Sequence, residues 1–474
     1  MNPDDLIAEI EAGPRGPHIA AFFDLDGTLV HGFTATHILR DQLRRGQVGA
    51  GDLARLVLTA VDGELGGDPT RAGDLGISAL RGHLEDAMTE MGERLFVQKI
   101  AGTIRPQARA IVKAHQRMGH VVVLASAATR FQTGPVAREL GIDHILCTEL
   151  EIEDGVLTGR VVGSFLWGEP KAQAVRRFAR ENDVDLGQSY GYANGDEDVA
   201  FLASTGRPHP IAPGRALRAT ADLQGWPVLD VVEPLRRGVR SVLGTAAAAG
   251  GLNAGLVAGA VLGAVRRDKR AGTNVGIPLA CDAALALAGV RLDITGEENV
   301  WKARPAIFIG NHQSSLDPVI MGSLLRRDFT GVSKAEARFD PRMVAASLFL
   351  DPVFIDRSNS GQSREALDAL TDRIRSGTSI MIFPEGTRMP TPEPGPFKKG
   401  AFHMAMQAGV PIVPVVIRNA GQLLAPRATV VRPGTIEVCV LDPIDTGEWT
   451  AEDLNTIVPE VRQLFVDTLE KWPS

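Results

Sequence analysis

The sequence predicts two α/β domains joined by an Ala/Gly-rich helical segment, and three observations carry that reading. Short apolar runs ending in polar or glycine residues recur in both halves: HIAAFFDLD (18–26), VVVLASA (121–127), AIFIGNH (306–312), SIMIFPEG (379–386) and VPIVPVVI (410–417). Such runs read as buried strands with active residues at their carboxyl ends. Between the halves, VLGTAAAAGGLNAGLVAGAVLGAV (242–265) contains no charged residue. The length of 474 residues suits two or three domains of roughly 150 residues each.

Composition narrows the function classes. A hydrophobic fraction of 44% and a charged fraction of 23% are those of a folded globular chain. The formal net charge of −7 argues against a nucleic-acid binder, which needs a basic surface to release phosphate counterions, and leaves room for local basic patches. Cys147, Cys281 and Cys439 are far apart, which fits a reducing compartment and excludes a zinc knuckle or disulfide scaffold. The acidic start MNPDDLIAEIEAG has no basic n-region or apolar h-region, so no secretory signal is expected and the working domains are placed in the cytoplasm.

The first run ends in FFDLDGTLV (22–30), with Asp24 and Asp26 two residues apart at a strand end, where side chains share a face. Paired carboxylates of this kind suit phosphoryl transfer with a divalent cation. The stretch resembles the first block, DxDxT, of the haloacid dehalogenase superfamily, and the chain looks most like its phosphoserine phosphatase branch. The resemblance implies a Rossmann-like domain over residues 1–228, with a small helical cap at about 31–105, where the sequence is helix-patterned. It implies Asp24 as phosphoryl acceptor, Asp26 as acid/base, Ser126 as a phosphate ligand and Lys171 (in GEPKAQAV) as the cation beside the phosphoaspartate. Mg²⁺ is the implied cofactor, held by Asp24, Asp26, Asn194 and Asp198. Here the sequence departs from the pattern: GYANGDEDVAFL (191–202) has Asn194 where an acid is expected, four residues before Asp198. The missing charge lowers the expected affinity for a hard divalent cation, with Asp196 as a substitute. A weak phosphatase, a fully active one, and a domain kept for packing, docking or dimerisation all stay open.

In the central segment, expected over 229–290, Gly251, Gly255, Gly259 and Gly263 recur every four residues. A glycine stripe lets another backbone approach closely and is typical of helices packed in or on membranes. Arg236, Arg237 and Arg240 precede it and Arg266, Arg267, Lys269 and Arg270 follow it, which suits anionic head groups. A second apolar stretch, VGIPLACDAALALAGV (275–290), carries Asp282. The length meets the ~20 residues of a bilayer span, but Ala and Gly supply little transfer energy. A single span would also separate the two α/β domains across the membrane. A hairpin in or on one leaflet, on the cytoplasmic face, avoids that conflict; a buried helix between soluble domains is the alternative. The stripe is also expected to serve a homodimer.

In the second half, a histidine after a strand, as in AIFIGNHQSSLDP (306–318), suits a metal ligand, a triad-type base or a structural residue. No second His or Cys stands at ligand spacing. NHQSSLD (311–317), VFIDR (353–357), FPEGTR (383–388) and VPIVP (410–414) follow in order. Together they resemble the four blocks of the glycerolipid acyltransferases of the 1-acylglycerol-3-phosphate acyltransferase kind, over residues 291–474. The resemblance implies transfer of an acyl group from acyl-CoA or acyl carrier protein to the free hydroxyl of lysophosphatidic acid. A thioester is already activated, so the chemistry needs a base rather than a covalent nucleophile: His312 takes the hydroxyl proton and Asp317 orients it. Ser314 and Ser315 shape the turn. Lys334, Arg357 and Arg388 are the cations for the acceptor's phosphate, and Glu385, Gly386 and Thr387 are expected to line the acceptor site. Lys398 and Lys399 read as a solvated surface pair.

Overall fold

The computed structural model describes residues 1–44, 70–231, 239–334, 353–355, 370–426 and 428–473. The chain divides into two compact units, Met1–Glu233 and Pro234–Ser474.

The first unit is a parallel five-stranded sheet, β1 (Ala20–Phe23), β2 (Val121–Thr129), β3 (His144–Thr148), β6 (Tyr190–Ala193) and β7 (Arg207–Pro210), in the order β3-β2-β1-β6-β7. The chain reverses direction across the sheet at β1, between β2 and β6, and the crevice at the carboxyl ends there is where such sheets bind ligands. Strand periodicity builds both cores. Ala21 and Phe23 face one apolar layer with Tyr190 and Tyr192, while Ala20 and Phe22 face the other with Val123, Val175 and Phe178. Each fully buried Phe contributes roughly 1.5–3 kcal/mol.

Between β1 and β2 the described residues form helices Ala35–Arg44, Thr70–Ser78 and Glu85–Leu95, as the helical pattern of the cap predicts; residues 45–69 lie outside the description. A hairpin, β4 (Leu150–Glu153) and β5 (Val156–Val161), joins this region through a bridge from Val156 to Leu84. It has no counterpart among the elements read from sequence.

The second unit has a seven-stranded sheet: β8 (Val290–Thr295), β9 (Ile307–Gly310), β10 (Phe329–Lys334), β11 (Val353–Ile355), β12 (Ser379–Ile382), β13 (Ile412–Ile417) and β14 (Gly434–Val440). Its order is β11-β10-β12-β9-β13-β14-β8, parallel except for β13 against β14. β9 sits near the middle, with Phe308 facing one core and Ile307 and Ile309 the other. β9 and β12 are shorter than their apolar runs, because each stops before the residues that carry chemistry. After β9, Asn311 uses its side chain to bond Ile417 N–H and C=O, and after β12, Pro384 has no N–H to offer the sheet.

The central segment is a helix pair, Val239–Arg266 and Lys269–Leu287, that belongs to the second unit. Asp268 caps the second helix by accepting from Ala271 N–H. The glycine stripe is used inside the chain. A Cβ on Gly251 would strike Leu287, one on Gly255 the Ala280 backbone, and one on Gly259 would lie 2.5 Å from the Gly276 Cα; Gly263 faces Gly272. The stripe thus packs against an intrachain partner, whose Gly272, Gly276 and Ala280 complete the close approach. The opposite face is open, with Val257, Val261 and Val265 exposed by 60%, 57% and 76%. Val239–Arg266 is long and apolar enough to cross a membrane.

Candidate active site

Both units gather their chemistry at strand ends, and the second does so more completely. Asp317 opens the helix Asp317–Leu325 and is fully buried. Its Oδ2 accepts from His312 Nδ1 at 2.8 Å and from the backbone N–H groups of Gln313 and Ser314 at 2.7 Å each. With Nδ1–H donating to Asp317, the His312 Nε2 carries the lone pair, and the side chain keeps 18% of its surface exposed. The loop is stapled down: Gln313 bridges Ile417 and Gly421, and Ser314, fully buried, donates to Leu424 C=O.

The FPEGTR segment grips the same histidine. Glu385 Oε2 accepts from His312 N–H at 2.7 Å, and Met389 N–H donates to His312 C=O at 2.7 Å. Burial pushes the Glu385 carboxyl up to about 8, opposed by the His312 N–H and helped by the nearby Asp317 charge. Glu385 thus faces backbone donors beside the base. Gly386 takes a left-handed φ of +73°, where a side chain would strain the turn. Thr387 is exposed. Arg388 donates to Ser315 Oγ at 2.5 Å and Pro426 C=O at 2.7 Å, which brings its guanidinium to the HQSSLD loop. Lys334 ends β10, paired in register with Ile355, and its side chain and Arg357 lie outside the described residues. Lys399 donates to Asn455 Oδ1 on the exposed surface.

Sequence reasoning missed Phe383. Its ring stacks on the His312 imidazole with centroids 4.2 Å apart and planes at 16°. Asn311 was legible as part of the quoted stretch but not as the brace that fixes the loop to β13.

In the first unit Asp24 follows β1, and its N–H donates to Tyr192 C=O on β6. Lys171, on the helix Glu169–Glu181, bridges Asp24 Oδ1 at 2.9 Å and Asp198 Oδ1 at 2.6 Å, all three buried. Burial pushes Asp24 up to about 7; Lys171 opposes this, and Asp198 and Asp26 add to it. Burial works against the Lys171 charge, but the two carboxylates more than offset it and hold the ammonium above its usual range. Ser126 is buried near the end of β2. Asp26 turns to Thr34, accepting from its N–H at 2.8 Å and its hydroxyl at 3.2 Å, and Gln132 donates to that hydroxyl at 2.9 Å. Burial raises the Asp26 carboxyl and the Thr34 bonds lower it. Thr34 and Gln132 are a further pair that the sequence did not single out.

Among the described residues the acids do not assemble a cation cage: no three His, Cys, Asp or Glu side chains cluster as metal ligands. Asn194 accepts from Thr28 Oγ1 at 3.2 Å, and Asp196, the substitute acid, accepts from Leu217 N–H at 2.8 Å and so caps the helix Arg215–Gln224. Two carboxylates already shared by one ammonium, with one amide, fit a tightly held Mg²⁺ poorly.

Residues 291–418 match the acyltransferase family model, and residues 21–203 match that of the haloacid dehalogenase-like hydrolases. A 1-acyl-sn-glycerol-3-phosphate acyltransferase of Saccharomyces cerevisiae is 35% identical over 188 residues, which cover 39% of this chain and 62% of the yeast protein, under two thirds of its length. An uncharacterized acyltransferase of Schizosaccharomyces pombe is 37% identical over 202 residues, 41% of this chain and 72% of that protein. A phosphoserine phosphatase of Mycobacterium tuberculosis is 31% identical over 267 residues, 53% of this chain and 87% of that protein. Among solved structures, a 1-acyl-sn-glycerophosphate (LPA) acyltransferase from Thermotoga maritima is similar at 24% identity and a TM-score of 0.43, covering 50% of this chain and 98% of that one.

Proposed function

We propose, from the premise that the chain belongs to the haloacid dehalogenase-like hydrolases through its first half and to the acyltransferases through its second, that it is a 1-acylglycerol-3-phosphate O-acyltransferase working at a membrane surface. The observation that carries this reading is His312 held on Asp317 with Nε2 left as the base. Nε2 takes the proton of the acceptor hydroxyl as that oxygen attacks the thioester carbonyl. The C–S bond breaks, and the imidazolium, stabilised by Asp317, gives its proton to the departing thiolate. Base catalysis of this kind contributes roughly 10²- to 10⁴-fold. Arg388, beside the loop, holds the acceptor's phosphate. The exposed apolar face of Val239–Arg266, with Arg266, Arg267 and Lys269 at the turn of the pair, lies on the cytoplasmic leaflet, where the lysophospholipid resides.

The first unit serves as a phosphate-handling domain of reduced metal affinity. Asp24, Asp26, Ser126 and Lys171 supply its acceptor, acid/base and phosphate contacts, and Mg²⁺ would add Lewis-acid charge neutralisation through Asp24, Asn194 and Asp198. Phosphatase turnover is therefore weak beside acyl transfer.

The test is thiol release from a long-chain acyl-CoA by the full-length protein in detergent, with and without lysophosphatidic acid. Acceptor-dependent release that is lost in His312→Ala is the expected result. Near-wild-type turnover in that variant would sink the assignment.

A further inference from the structure

The grip of the FPEGTR segment on His312 extends beyond hydrogen bonds. Asp317 fixes the Nδ1 edge of the imidazole and Glu385 the backbone N–H, but neither restrains the tilt of the ring about the bond to Asp317. The Phe383 ring does, lying nearly parallel at 4.2 Å. The room for it comes from Gly310, the last residue of β9. A Cβ there would come within 3.2 Å of Phe383 Cε1, so an alanine at the strand end would press on the ring.

We propose that Phe383 is a positioning residue for His312: it holds the imidazole in one plane, and its π-face favours the imidazolium formed as the acceptor hydroxyl gives up its proton. This deepens the acyltransferase reading and rests on it. A ring face attracts a cation more strongly than a neutral imidazole, so the stack acts on the transition state more than on the ground state. The proton balance is unchanged: it passes from the acceptor hydroxyl to Nε2 and then to the leaving thiolate.

The groups facing the imidazole have distinct places. Asp317 is on Nδ1, Glu385 is on the backbone, and Arg388, from the same segment as Phe383, is tied to Ser315 and Pro426. Arg462 acts on Glu385. None of these occupies the ring face that Phe383 covers. Phe383 also packs against the core that contains Phe308 and Val415, so a purely structural role is the competing account.

The experiment compares wild type, Phe383→Leu and Phe383→Tyr as full-length proteins in detergent, reading acyl-CoA thiol release against lysophosphatidic acid concentration. Leucine keeps apolar volume without a π-face; tyrosine keeps the face. The expected result is a kcat lowered roughly 3- to 30-fold in Phe383→Leu, with KM for donor and acceptor within about twofold, and recovery in Phe383→Tyr. A Phe383→Leu enzyme with wild-type kcat, or a tyrosine variant as slow as leucine, overturns the proposal. A second readout is independent of turnover. The His312 ring protons, assigned by difference with His312→Gln, should carry an upfield ring-current shift that Phe383→Leu abolishes. That shift in a wild-type protein that releases no thiol would overturn the acyltransferase reading and leave the stack standing; its absence from wild type would overturn the stack.

Discussion

The two units place their reactive residues alike and support them differently. Asp24 and His312 each follow an interior parallel strand of their sheets, β1 and β9. Around His312 every neighbour points one way: Asp317 collects three donors, Glu385 and Met389 hold the backbone, and Asn311 and Gln313 tie the loop to β13. Around Asp24 the support is internal, with Lys171 satisfying two carboxylates at once while Asp26 is held by Thr34 and Asn194 by Thr28. The first arrangement leaves a lone pair free for a substrate; the second neutralises its own charges. A site is thus distinguished less by its residue types than by whether their bonding capacity is spent within the protein or kept for a ligand.

The largest effect that bears on this comparison is expected from Asp317→Asn. The amide presents a donor to His312 Nδ1, which favours the wrong tautomer, and acyl transfer should fall roughly 10³- to 10⁴-fold, as for the third member of a triad. The same kinetic assay on Asp24→Asn should show transfer within about twofold of wild type. Loss of transfer in Asp24→Asn would break the separation of the two chemistries.

A smaller effect concerns stability and is confined to the first unit. His209 is buried against Tyr190 and Tyr192, and burial pushes it down to about 4. His115, bonded to His120 and Tyr192, is also held well below its usual value by burial. A histidine whose folded value is depressed stabilises the fold when neutral, and that stability is lost as pH falls from about 6.5 toward about 4. For His209 the shift corresponds to about 3 kcal/mol. Asp24 works in the opposite sense: raised to about 7, its carboxylate costs stability at and above neutral pH, and the cost fades as pH drops toward 4. The two tyrosines of the chain are Tyr190 and Tyr192, so tyrosine absorbance reports this unit alone. His209→Gln should flatten the acid loss of stability seen by that signal and Asp24→Asn should steepen it. Equal slopes in wild type and His209→Gln would remove the histidine from the account.

These contrasts also mark what the sequence could reveal. The strands were legible because parallel-sheet burial leaves continuous apolar runs, and Asp24, Asp26, His312 and Asp317 were singled out because the motifs that carry them resemble family blocks that follow such strands. The hairpin at β4 and β5 went unread, although Asp154 and Gly155, both at positive φ, form the Asp-Gly turn that signals one. Other features were not legible. Phe383 looks like any strand-end aromatic until the fold brings β12 beside β9, and Asp196 looks like a spare metal ligand until Leu217 N–H takes it. The glycine stripe announced close packing but not its partner, because Gly272 and Gly276 lie on a helix whose pairing is a tertiary fact. Local pattern specifies which groups need partners; the long-range fold assigns them.

The smallest expected effect tests whether one position makes the difference between the two units. Asn194→Asp changes an amide for a carboxylate of the same shape, and Thr28 Oγ1 can donate to either. It adds a negative charge beside Asp24 and Asp198, which one ammonium already serves. Without a cation, the added repulsion raises the Asp24 carboxyl further and weakens the unit. With Mg²⁺, the third acid completes a hard oxygen donor set, and affinity should rise at least about tenfold, near 1.4 kcal/mol. The check is the tyrosine-reported melting temperature against Mg²⁺ concentration, since binding to the folded state alone raises it by RT ln(1 + [L]/Kd). The variant should melt below wild type in chelator and gain more from millimolar Mg²⁺, with phosphate release from a generic phosphomonoester rising in step. Equal gains in both proteins would mean that Asn194 does not limit the site, and the internal Lys171 bridge would then be the feature that separates the two units.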